Sequence, residues 1–226
     1  MMRIHHIGKG FTLIELMVSV AIFSVVMVLA LGSLLSISTS EKKAETLKSV
    51  MNNLNFALDS MSRSIRTGSV YHCGSSGTLT VAQDCTNPGQ SYLAFKATDG
   101  ITTVVYWLDT TANECGQTGA VGGCIMRCFT TNGTCNPPGS GTPNSFSQIT
   151  APEVIIAIAP GQPGAGAAGL IFYVTGSCDP AGTGGCTPDT VEPKVTMTLS
   201  GYTQVTATQQ TAFNIQTSVT ERLYDQ

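Results

Sequence analysis

From Phe11 to Ile37 the chain is almost uninterruptedly apolar, and the single charge in that run is Glu15. A run of this length spans roughly 40 Å as a helix, enough to cross a bilayer with some tilt. Arg3 and Lys9 precede it, with His5 and His6. Positive charge marks the cytoplasmic side, so the N-terminus is expected inside and the C-terminus outside. Two plain readings compete. A cleavable secretory signal has a core of about 7 to 15 residues, far shorter than this one, although "LALGS" at 29–33 is a passable cleavage site. A simple anchor leaves Glu15 to snorkel to the interface. A charge costs about 2.5 kcal/mol or more at the membrane centre and less near the edge, so a carboxylate there calls for a partner.

The residues around that carboxylate point to one. Lys9, Gly10, Phe11, Thr12, Leu13, Ile14 and Glu15, followed by "LMVSVAI", resemble the class III signal of type IV pilins and pseudopilins. The resemblance implies that a membrane-embedded prepilin peptidase cuts between Gly10 and Phe11 on the cytoplasmic side and N-methylates Phe11. The apolar segment is then retained. Cleavage creates a positive amine at Phe11, one helical turn from Glu15. In the family this glutamate meets the N-terminal amine of a neighbouring subunit as helices stack into a filament. Pairing relieves much of the cost of a buried unpaired charge. Glu15 is thus expected to be a docking and register residue with no catalytic part.

Eight cysteines follow the apolar run: Cys73, Cys85, Cys115, Cys124, Cys128, Cys135, Cys178 and Cys186. An even number in Gly/Pro-rich surroundings reads as disulfides formed in an oxidising compartment. Zinc sites favour closer pairs such as C-x2-C, and the closest spacing is Cys124 to Cys128. Each cysteine is expected to pair with its sequence neighbour, 73 with 85, 115 with 124, 128 with 135 and 178 with 186. Cys124 and Cys128 share side-chain parity on one expected strand, so 115–128 with 124–135 is an open alternative.

Beyond the membrane run the apolar pattern becomes a stripe. Leu47, Met51, Leu54, Leu58, Met61 and Ile65 recur at threes and fours, one face of an amphipathic helix that packs on a sheet. Gly68 is the expected stop, and Gly32 the expected point of loosening. After Gly68 the period changes to two. Strands are expected at 78–82, 92–97, 101–108, 124–130, 154–159, 170–175, 195–199 and 213–219. Gly/Pro-rich loops are expected at 109–123, 131–152, 160–169 and 176–192. A long helix followed by a run of strands makes an α+β fold. The long N-terminal helix, half transmembrane and half amphipathic, packs on an antiparallel β-sheet domain with disulfide-stapled loops. The expected divisions are a leader at 1–10, a transmembrane helix at 11–38, an amphipathic helix at 39–67 and an extracytoplasmic β-rich domain at 68–226. A second resemblance, of "LDSMSRSIRTG" and "FNIQTSVTERLYDQ", is to minor PilW-like or J-type pseudopilin subunits.

Enzyme chemistry finds little support. After cleavage His72 is the only histidine, so neither a histidine triad nor an H-E-x-x-H zinc site can be built. Asp109, Glu114, Asp179 and Asp189 lack EF-hand spacing and read as solvated loop carboxylates before they read as calcium ligands. Tyr106 and Trp107 read as core and cross-strand packing. Asn132 begins a glycosylation-type sequon. The net charge of −3 offers no basic field for strong nucleic-acid binding. No cofactor and no metal are expected. The expected role is a structural minor pilin or pseudopilin subunit, in or at the tip of a type IV pilus or a type II secretion pseudopilus. Its partners are then the prepilin peptidase, other subunits through the N-terminal helix, and the inner membrane before assembly. The competing class is a membrane-anchored, disulfide-rich adhesion module.

Overall fold

The computed structural model describes residues 10–110, 115, 123–131, 135, 145–152, 154–157, 169–178, 191–206 and 209–221. The chain divides into two compact units, Met1–Glu45 and Thr46–Gln226. Helix α1, Leu13–Arg66, contributes to both. It is unbroken at Gly32, against the expectation of loosening there; a Cβ at that position would meet nothing. Backbone hydrogen bonding carries the helix through a single glycine at a cost of only about 1 kcal/mol.

In the first unit every residue from Gly10 to Lys42 is exposed. In the second, α1 buries Val50, Leu54, Ala57, Leu58, Met61 and Ile65. Leu47 is half-buried and Met51 is 40% exposed, so the stripe is rotated from the expected one. Val50 joins Leu54, Leu58, Met61 and Ile65 in a core to which both sheets contribute.

Strands β1 (Ser69–Cys73), β3 (Tyr92–Lys96), β4 (Thr103–Asp109), β5 (Cys124–Thr130) and β6 (Ser145–Gln148) form a five-stranded sheet in the order β1-β3-β4-β5-β6. Strands β2 (Cys85–Gln90), β7 (Leu170–Thr175), β8 (Lys194–Thr206) and β9 (Gln209–Thr220) form a four-stranded sheet in the order β2-β7-β8-β9. All the pairings between these strands are antiparallel. One core joins the helix to Leu93, Phe95, Val104, Tyr106 and Ile125 of the first sheet. The second sheet supplies Leu170, Phe172, Val174, Val195, Met197 and Leu199 to the same core. Period-two patterning thus delivers one apolar face per sheet, and the helix completes a shared interior.

Three expectations about strands fail. Residues 78–82 form a turn, with Val81 N donating to the Thr78 carbonyl at 2.9 Å. The buried His72 ring holds that loop through Nδ1 to the Val81 carbonyl (2.8 Å) and Nε2 to the Ser76 carbonyl (2.9 Å). The described part of 154–159 makes only isolated bridges, Ile155 to Tyr202 and Ile156 to Gly123, which tie the end of β8 to the start of β5. Strand β6 lies inside the expected loop 131–152, and β1 and β2 were not expected at all. Strand β2 reads "CTNPGQ", turn-forming residues that its pairing with β7 accommodates through a register irregularity.

Gly68 does follow the helix, but its φ is not positive, so it is not a left-handed cap. A Cβ there would collide with the Phe95 ring and the Lys96 carbonyl (3.0 Å). The helix end is held instead by Tyr71, whose hydroxyl lies 2.7 Å from the Ile65 carbonyl and 2.8 Å from that of Gly68, sharing its proton between them. This answers the unpaired carbonyls of a helix C-terminus. Burial, with the Glu221 carboxylate adding to it, pushes the Tyr71 phenol far above its usual range, so the donor stays protonated.

Cys73–Cys85, Cys115–Cys124 and Cys128–Cys135 are bonded, with Cα–Cα separations of 5.8, 5.5 and 6.2 Å. These are sequence-neighbour pairs, and the exchanged alternative for the middle four is not adopted. Cys178 is disulfide-bonded, and Cys186 lies outside the described residues. Trp107 packs against both the Cys124 and the Cys128 side of β5, on the sheet face away from the helix. Removing one staple as Cys115→Ser with Cys124→Ser should lower stability by about 2 to 3 kcal/mol, read from the denaturation midpoint. An unchanged midpoint would show that Trp107 and its neighbours hold the segment unaided.

Candidate functional site

The first helical turn is specified locally. Gly10, Phe11 and Thr12 are non-helical and exposed, and α1 starts at Leu13. Thr12 occupies the N-cap. Its carbonyl accepts from Leu16 N at 3.2 Å, and its hydroxyl lies 3.4 Å from Glu15 N. Thr-x-x-Glu is the capping-box pattern, and the acidic side chain at the third helical position also favours the positive end of the helix dipole. Thr12 therefore has a positioning part that the assignment of Glu15 alone passes over. The signal for it, a threonine three residues before a glutamate at the head of an apolar run, is plainly in the sequence.

The Gly10–Phe11 bond lies two residues ahead of the helix, in exposed backbone. A Cβ on Gly10 would meet nothing within 4 Å among the described residues. Packing within this chain therefore does not demand a glycine there. At Gly169, by contrast, a Cβ would collide with the Ser200 carbonyl and sit 2.6 Å from Ala157 N.

Downstream of the cap three serines of the run bond back into the helix. Ser19, Ser24 and Ser33 donate to the carbonyls of Leu16, Val20 and Ala30 at 2.8 to 2.9 Å. Such back-bonding hides a hydroxyl from an apolar medium. Glu15 has no equivalent option, because a carboxylate cannot donate to a carbonyl. Leu13, Ile14, Leu16, Met17 and Val18 around it are 50 to 78% exposed. The result is an acid at the head of an exposed apolar stretch, in a helix long and apolar enough to cross a membrane, near the N-terminus.

Other expected sites are scattered. Asp109 is buried at the end of β4, while Glu114, Asp179, Asp189 and the Asn132 sequon lie outside the described residues, as does Lys9. Among the described residues no three His, Cys, Asp or Glu side chains are grouped to hold a metal ion. Asp84 is used structurally, accepting from Gly176 N and Ser177 N at 3.0 Å each and so fastening β2 to the turn after β7. Tyr106 is fully buried in the core, and Trp107 is half-buried on the other face.

No curated protein and no solved structure matches the chain. Residues 8–31 match the family described as the prokaryotic N-terminal methylation motif. That stretch holds the Gly10–Phe11 junction, the Thr12 cap, Glu15 and most of the apolar run. The match supports a type IV pilin-like, N-terminally processed protein, anchored in a membrane by a single apolar helix and carrying a disulfide-bonded C-terminal domain.

Proposed function

We propose that the chain is a minor pilin or pseudopilin subunit, cut by prepilin peptidase between Gly10 and Phe11 and methylated on Phe11. It is stored in the inner membrane and assembled into a filament through its N-terminal helix. The observation that carries this reading is Glu15 at the capped head of a helix whose apolar side chains from Leu13 to Ile37 are all exposed. A lone subunit in lipid leaves that acid unpaired, whereas a stack of processed subunits offers each acid a neighbour's amine. The leader 1–10 then lies in the cytoplasm, residues 11–38 cross the membrane, and the domain from 68 onward lies outside, where disulfides persist. The large β-rich unit favours a minor, PilW-like or J-type subunit over a small major one. Its role is structural, priming or capping a filament of the pilus or type II secretion kind.

Mass spectrometry of the membrane form tests the first step. The N-terminal peptide should begin at Phe11 and carry one added methyl group. A mature terminus near Ser33 would instead establish ordinary signal-peptide cleavage and sink the reading.

A further inference from the structure

His72 is 1% exposed, and each of its ring nitrogens faces a backbone carbonyl oxygen. Nδ1 lies 2.8 Å from the Val81 oxygen, and Nε2 lies 2.9 Å from the Ser76 oxygen. A carbonyl oxygen only accepts, so each contact needs a proton on the ring nitrogen. A neutral imidazole carries one N–H. Whichever tautomer it adopts, its other nitrogen sets a lone pair against an oxygen lone pair in a buried place. The imidazolium donates at both nitrogens and satisfies both contacts.

The segment between β1 and β2 is wrapped around this ring. Gly74 and Gly77 have φ of 111° and 95°, left-handed conformations that let the chain turn back over the imidazole. A Cβ on Gly77 would stand 3.3 Å from His72 Cε1. Leu79, between the two accepting residues, packs on Ala94, Val105 and Cys128. Gln83 closes the far end. Its backbone N donates to the Tyr71 carbonyl at 2.9 Å, and its side-chain amide donates to the Cys73 carbonyl at 3.1 Å.

The charge on the ring is held by these carbonyls. Among the described residues no carboxylate forms an ion pair with it. In the loop itself Asp84 is turned to Gly176 N and Ser177 N. On β3 Ala94 stands opposite His72, with Tyr92 and Lys96 on the same face. Burial raises the Tyr92 phenol, which stays neutral, and Lys96 is itself a cation. The next strands bring the uncharged Val105 and Cys128 to that face.

We propose that His72 is an imidazolium clasp, whose second proton locks residues 74–84 down and whose loss at higher pH releases them. Both acceptors belong to the loop, so they leave the ring when the loop lifts, and the ring then has no need of its second proton. The closed loop binds a proton that the open loop does not require. Closure is therefore favoured at low pH and weakens as pH rises. Ser76, Gln83 and Asp84 also wall a polar recess beside the Cys73–Cys85 bridge, which release of the loop reshapes. The clasp lies wholly in the globular unit, so it does not depend on whether the leader is cut.

Full-length protein in detergent micelles, with His5→Ala and His6→Ala so that one imidazole remains, tests the proposal. Nuclear magnetic resonance of isotope-labelled histidine should show a proton on both ring nitrogens near about pH 6 and on one of them by about pH 8.5. Over the same interval hydrogen exchange in the 74–84 peptide, corrected for the intrinsic effect of pH, should quicken roughly tenfold, as expected for the loss of a charge-assisted hydrogen bond. Exchange in the 170–175 peptide should stay unchanged. His72→Gln keeps a donor and cannot titrate, so its loop should exchange independently of pH. Should that variant misfold, the ring-nitrogen spectrum and the exchange of the single-histidine protein decide alone. One bare ring nitrogen near about pH 6 with the loop still protected, or loop exchange independent of pH in the single-histidine protein, would overturn the proposal. So would an undiminished pH dependence in a folded His72→Gln variant.

Discussion

Glu15→Ala is expected to leave membrane insertion and leader cleavage largely intact and to remove the chain from sheared filaments. Insertion should survive because the substitution makes the helix more apolar. Cleavage should survive because the scissile bond lies before the helix and Thr12 still caps it. Assembly should fail because the alanine strands a neighbouring subunit's Phe11 amine in an apolar setting. Breaking a buried ion pair by removing one partner costs about 3 to 5 kcal/mol, which corresponds to at least a hundredfold loss of incorporation. Glu15→Gln keeps the shape and loses the charge, so it should behave like alanine. Undiminished incorporation of either variant, measured against total processed protein, would refute the docking role.

Phe172→Ala should be the most damaging single change in the globular unit. The ring is fully buried on β7, one of the two inner strands of the four-stranded sheet, within the core shared with α1. Its backbone carbonyl also lies 3.4 Å from Cys85 Sγ, beside the first staple. Emptying such a site removes transfer energy and leaves a cavity, together about 3 to 5 kcal/mol. For a unit of this size that lowers Tm by roughly 10 °C. Thermal unfolding under non-reducing conditions measures it. A drop of no more than a few degrees would mean that the core collapses around the gap, and would argue against one interior shared by helix and sheets.

The acid at Glu15 and the apolar run follow from residues within a few positions of one another and are read from the sequence; the Thr12 cap has an equally local signal that the reading of Glu15 alone passes over. Strands β5 and β7, whose bounds match the expected strands, are read from the sequence too, as is the Cys73–Cys85 pairing, whereas the partners of Cys124 and Cys128 were open in the sequence and are decided by the structure. Short disulfide loops close wherever the chain turns back on itself, and the Gly- and Pro-containing spacers announce those turns.

What the tertiary structure decided is the environment each segment meets. Residues 78–82 have a strand's composition, but the backbone of that loop answers the two nitrogens of a buried His72, and a ladder partner would have to displace them. "CTNPGQ" has a loop's composition, yet β7 supplies a partner and Asp84 pins it in place. Val50 displaces Met51 from the buried stripe because the helix's rotation is set by two sheets at once. Gly68 is required by the Phe95 ring, 27 positions along the chain, and not by the helix it ends. Sequence by itself determined what a few neighbouring residues can settle through covalent geometry, capping and hydropathy. Strand order and the rotation of α1 come from long-range packing, where each choice is made by side chains that no local window contains.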